Sequence, residues 1–87
     1  MNRVEIYTTA ICPYCVMAKN FLKHKGLDYE EIRIDHDSAR REEMLSRSLG
    51  RRTVPQIFVN GVHIGGYDDL VVADRGGRLG ELVDAAK

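Results

Sequence analysis

Residues 3–26 read RVEIYTTAICPYCVMAKNFLKHKG, and the change of period inside this stretch decides the fold. From Arg3 to Thr8 the residues Val4, Ile6 and Thr8 alternate with Glu5 and Tyr7, a period of two rich in β-branched and aromatic types that predicts a strand. Pro13 then suits a first helical position, where its missing N–H leaves nothing unpaired. Val16, Ala18, Phe21 and Leu22 follow at helical spacing until Gly26 stops the run. A strand therefore hands over to a helix that opens at Cys12.

Working outward, Tyr29, Ile32 and Ile34 mark a second strand, and Asp35 to Ser38 a turn with Ser38 as the next helix cap. That helix carries Ala39, Met44, Leu45 and Leu49 as apolar spots, has Glu42 and Glu43 near its positive end, and closes at Gly50. Its charged residues, Arg40 and Arg41 among them, read as a solvated exterior. Gln56 to Val59 and Val62 to Ile64 are short strands around Asn60-Gly61, a strong two-residue hairpin signal. After Gly65-Gly66 come a short helix, a break at Gly76-Gly77 and a last helix from Arg78 to Ala86.

The order β-α-β-α-β-β-α-α predicts a mixed sheet with helices on both faces. A right-handed first crossover places Cys12 at the C-terminal edge of the first strand, where open α/β sheets present their sites.

The length of 87 residues allows one domain, and 44% apolar with 30% charged residues fits a packed domain better than a disordered or membrane-embedded chain. Thirteen basic and thirteen acidic side chains cancel, which argues against nucleic acid or an anionic bilayer as partner. The N-terminus lacks the basic and apolar runs of a signal peptide, so a reducing cytoplasm is expected.

Cys12 and Cys15 are the only cysteines. Closing so short a loop removes only about 2 kcal/mol of unfolded-chain entropy, a poor return for a structural staple. Cys12 at the helix cap meets free amide N–H groups and the positive end of the dipole, whereas Cys15 is shielded by its own helix. Cys12 is thus the expected nucleophile and Cys15 the resolving thiol. Lys19 lies on a similar helix face but reads as a solvated lysine. Zinc is the rival from another class, yet His24, His36 and His63 are scattered and supply no spaced second pair of ligands.

Three segments, Cys-Pro-Tyr-Cys at 12–15, Thr-Val-Pro-Gln-Ile-Phe-Val at 53–59 and Gly-Gly-Tyr-Asp-Asp-Leu at 65–70, together resemble the glutaredoxin family over nearly the whole chain. The resemblance is to small dithiol members. Thioredoxins carry Trp-Cys-Gly-Pro-Cys and this chain has no tryptophan, while monothiol glutaredoxins show Cys-Gly-Phe-Ser.

The resemblance implies a thioredoxin fold and a glutathione-dependent reduction of protein disulfides and protein–glutathione mixed disulfides by a monomer with no bound redox cofactor. It implies a cis Val54-Pro55 bond facing Cys12, with the Val54 backbone pairing with the cysteine moiety of glutathione. Tyr14 flanks the sulfur, and Gly66, Tyr67, Asp68 and Asp69 take the γ-glutamyl end. Many members have a lysine shortly before the first motif, where this chain has Thr9, Ala10 and Ile11. Arg52, beside Thr53, is the expected substitute partner for the glycine carboxylate. The alternative function is an iron–sulfur carrier using Cys12 and glutathione.

Overall fold

The computed structural model describes residues 2–84. Eight elements follow in the expected order: β1 (Val4–Thr8), α1 (Pro13–His24), β2 (Glu30–Arg33), α2 (Ser38–Arg47), β3 (Gln56–Val59), β4 (Val62–Gly65), α3 (Tyr67–Arg75) and α4 (Arg78–Asp84). The rest of the helix expected to reach Ala86 lies outside the described residues. No helix among them is long and apolar enough to cross a membrane.

The strands form one mixed sheet in the order β2-β1-β3-β4, with β1 parallel to β2 and antiparallel to β3, and β3 antiparallel to β4. Asn60 and Gly61 make the β3–β4 turn with φ of 51° and 83°, the two positive values that a right-twisting two-residue hairpin requires.

Helices cover both faces, which changes the meaning of the β1 alternation. All five β1 residues are buried, because β1 is an inner strand. Val4 and Ile6 pack with Ala18 and Leu22 of α1, Leu70 and Ala73 of α3 and Leu79 of α4. Each of the buried Val, Ile and Leu side chains in this cluster contributes about 1.5–3 kcal/mol. Tyr7 faces the other way, into a smaller cluster with Ile32, Ile34, Phe58 and Met44 of α2.

Helix α2 departs from expectation in three respects. Its N-cap is Asp37, not Ser38: the Asp37 carboxylate accepts the N–H groups of Ala39 (3.0 Å) and Arg40 (3.3 Å), and Ser38 is the first helical residue. Leu49, expected as an apolar spot of the helix, lies past its end at φ 58° and is 93% exposed. Its charges are not simply a solvated exterior either. Arg47 reaches inward to hold the buried Glu5 carboxylate with two bonds of 2.9 and 3.0 Å, and donates to the Tyr7 hydroxyl at 2.8 Å. The same hydroxyl donates to Glu43.

Candidate active site

The loop after β1 delivers Cys12 to the start of α1. Cys12 has extended dihedrals (φ −150°, ψ 102°), its carbonyl accepts the first helical N–H from Val16 at 3.1 Å, and Pro13 occupies the first turn. Its sulfur takes the place of the usual oxygen cap, accepting the Cys15 N–H at 3.2 Å. Thiol Sγ of Cys12 also lies 3.7 Å from the Val54 carbonyl oxygen across the cleft. The loop itself is held by Asp35, two residues past the end of β2, whose carboxylate accepts the Ala10 N–H at 3.0 Å. Arg33 grips Asp35 with two bonds of 2.8 and 2.7 Å and keeps its carboxyl far below the usual range.

The two thiols are unlinked and unequally placed: Cys12 is partly exposed, whereas Cys15 is 1% exposed. Burial, and after it the hydrogen bond to Cys12, push the Cys15 thiol up to about 12. Lys19 is not free in solvent as expected. It is half-buried and bonded to Glu31 at 3.0 Å. Burial would raise the Glu31 carboxyl, but the Thr8 hydroxyl (2.7 Å) and Lys19 overcome it and hold it below its ordinary value.

Beside Cys12 a cleft of about 270 Å³ is lined by Tyr14, Thr53, Val54, Pro55 and Arg51 on one side and the start of α3 on the other. The Val54-Pro55 peptide is cis. Tyr14 stands exposed with its ring 6.4 Å from that of Tyr67, which in turn meets Phe21 edge-on. At the far end Gly66 is the N-cap of α3, so neither Asp68 nor Asp69 caps the helix in the usual position. Asp69 instead turns back: its Oδ2 accepts the Gly66 N–H at 2.9 Å and lies 3.5 Å from the Arg51 guanidinium. A side chain on Gly65, at φ 116°, would collide with that carboxylate.

Cys12, Tyr14, Thr53, Val54, Pro55, Gly66, Tyr67, Asp68 and Asp69 are therefore brought together, with Cys15 buried behind them. Arg52 is exposed and does not line the cleft; its neighbour Arg51 does. Sequence reasoning also passed over Gln56 and His63, which stand behind Thr53. A larger hollow of about 520 Å³ lies by α2 at the opposite end of β1, lined by Arg3, Arg40, Arg47 and the carboxylates that pair with them. Among the described residues no group of three or more His, Cys, Asp or Glu side chains could hold a metal ion.

A thiol pair opening the first helix of this sheet, with one sulfur at the surface, defines a thiol–disulfide oxidoreductase of the thioredoxin fold. Comparison with known proteins narrows the class: the glutaredoxin family model matches residues 4–64, and the chain belongs to that family. It is 53% identical over 83 residues to glutaredoxin 3 of Escherichia coli K12, covering 95% of this chain and 99% of the relative. Identity to a glutaredoxin of Pseudomonas aeruginosa is 48% over 85 residues, 98% of this chain and 100% of that one. Among solved structures, a buckwheat glutaredoxin–glutathione complex is similar with a TM-score of 0.84 at 30% identity, over 97% of this chain and 78% of the other. Glutaredoxin from Brucella melitensis gives 0.81 at 45% identity, over 98% and 91%.

Proposed function

We propose that the chain is a glutathione-dependent dithiol oxidoreductase that reduces protein disulfides and protein–glutathione mixed disulfides. The observation that carries this reading is the asymmetry of the thiol pair. Cys12 Sγ sits at a helix N-terminus on the cleft, while Cys15 is buried behind it and pushed up to about 12.

The Cys12 thiolate attacks one sulfur of the substrate disulfide. A Cys12–substrate disulfide forms and the other sulfur leaves as a thiolate that takes up a proton. From there two routes open. Cys15 gives up its proton and attacks Cys12 Sγ, closing a Cys12–Cys15 disulfide and freeing the second substrate thiol. Burial is the main cause of the raised Cys15 thiol, and the part contributed by the Cys12 charge is lost once Cys12 is in a mixed disulfide. Two molecules of glutathione then return the pair to dithiol and leave as glutathione disulfide. When the substrate is already a glutathione mixed disulfide, Cys12 takes the glutathionyl group and one further glutathione removes it, so Cys15 is not needed.

Glutathione fits the cleft as an extended zwitterion. The Val54 backbone and Tyr14 flank its sulfur, with Thr53 and Pro55 completing that wall. Gly66, Tyr67, Asp68 and Asp69 meet the γ-glutamyl group, the free amides of α3 taking its carboxylate and an acidic side chain its amine. Arg51, which lines the cleft at the Asp69 end where Arg52 does not, offers a cation to a ligand carboxylate. The buckwheat relative is itself a complex with glutathione, which supports this placement. No resident cofactor is called for, and the protein acts as a cytoplasmic monomer. A coupled assay decides the electron donor: turnover through glutathione and glutathione reductase is expected, and turnover through thioredoxin reductase alone would overturn the reading.

A further inference from the structure

Behind the cleft wall lies a row of hydrogen bonds running from Thr53 through Gln56 to His63. Gln56 is fully buried, and its Nε2 lies 2.9 Å from the Thr53 carbonyl oxygen and 3.2 Å from Thr53 Oγ1. A carbonyl oxygen only accepts, so the Gln56 amide must present its nitrogen to Thr53 and its oxygen to the other side. On that other side His63 Nε2 lies 2.7 Å from Gln56 Oε1. Because that oxygen also only accepts, His63 Nε2 must carry a proton and donate it. The imidazole is held in place by stacking on Phe58 at 4.8 Å, and Arg47 covers the Phe58 ring at 4.0 Å. Burial, and then Arg51 and Arg47, hold His63 towards its neutral form against the opposing pull of Asp69, and in that form the contact with Gln56 Oε1 places the single ring proton on Nε2.

The direction of this row bears on the cleft. In a trans peptide the C=O and the following N–H point to opposite sides. With the Thr53 carbonyl accepting from the buried Gln56, the Val54 N–H of the same trans peptide points away from Gln56, and Thr53 and Val54 both line the cleft. We propose that His63, acting through Gln56, is a positioning residue that fixes the Thr53–Val54 peptide so that the Val54 N–H faces the backbone of the bound thiol ligand. Resting on the glutathione reading above, the proposal assigns His63 to ligand affinity and leaves the chemistry at sulfur to Cys12.

Two variants separate the donor from the stack. His63→Phe keeps an aromatic ring on Phe58 and removes the donor; His63→Gln restores an N–H donor without the ring. With a glutathionylated peptide as substrate, His63→Phe is expected to raise KM about fivefold to tenfold with kcat within a factor of about two, and His63→Gln to recover most of the loss. Long-range proton–nitrogen NMR of the unaltered protein, at a pH where His63 is neutral, is expected to show the Nε2–H tautomer. An Nδ1–H tautomer overturns the proposal whether or not the variants fold. Unchanged KM in folded His63→Phe, or an equal fall in kcat for both variants, overturns it as well. If the unaltered protein fails to use glutathione at all, the functional reading falls, and the tautomer still decides the hydrogen-bond row.

Discussion

The two ends of the cleft are both helix N-termini, and they are finished in opposite ways. At α1 the cap residue is Cys12, and its own sulfur receives the Cys15 N–H, so the capping atom is the atom proposed to react. At α3 the cap residue is Gly66, which has no side chain to offer, and Asp69 reaches back to accept the Gly66 N–H. The first end spends its cap on a nucleophile and the second supplies a fixed charge from inside the helix. The same local device thus serves rate at one end and recognition at the other, and substitutions should divide accordingly.

The largest effect is expected at the α1 end, where Cys12→Ser should bring turnover of every disulfide substrate down to the uncatalysed background. Retained turnover would move the chemistry to Cys15. Next, Gly65→Ala should damage the α3 end through the backbone, since φ 116° suits glycine alone and the new methyl would strike the Asp69 carboxylate. A loss of about 1–3 kcal/mol in denaturant stability is expected, together with a raised KM for glutathione. An unchanged KM would mean that the Asp69 position does not matter to the ligand.

Asp69→Asn is the milder and cleaner change, because the amide oxygen still accepts the Gly66 N–H while the charge is gone. It should raise KM for glutathione about tenfold or more, as loss of a charge-assisted bond worth about 1.5–3 kcal/mol requires, with no effect on the alkylation rate of Cys12. Equal glutathione dependence in the folded variant would reduce Asp69 to a helix device.

The last effect is one of pH and concerns stability alone, not turnover. The Cys15 thiol is raised to about 12 in the folded protein, so folding favours its protonated form. The stability this contributes is fully present below the unfolded thiol value of about 8.5 and is lost as pH rises towards 12. Thermal unfolding of Cys15→Ser should therefore show a shallower decline over that alkaline window than the unaltered protein, and identical slopes would argue against a buried protonated thiol.

Much of this architecture was legible because its signals are local. The shift from period two to helical spacing around Cys12-Pro13, the Asn60-Gly61 turn and the glycines after the first three helices each lie within a few residues of what they determine. What escaped depends on distant partners. The β1 alternation carries no mark that Glu5 and Tyr7 are buried as well as Val4 and Ile6, because the residue that makes their burial tolerable, Arg47, is 42 and 40 positions away. Asp37 and Ser38 are both good caps, and only the backbone decides which stands one residue outside the helix. Arg51 and Arg52 differ in the same way: on a non-helical segment neighbouring side chains point apart, and the sequence carries no mark of which faces the cleft.

The Asp35 carboxylate that receives the Ala10 N–H gives the approach to Cys12 an anchorage indifferent to mild acid. With its folded carboxyl far below the unfolded value of about 3.9, the contact is intact above that value and gives way only as pH falls towards the lower one. Variation in reaction rate across mildly acidic conditions should therefore report on the thiols and their ligand, with the loop that aims the nucleophile behaving as a rigid mount.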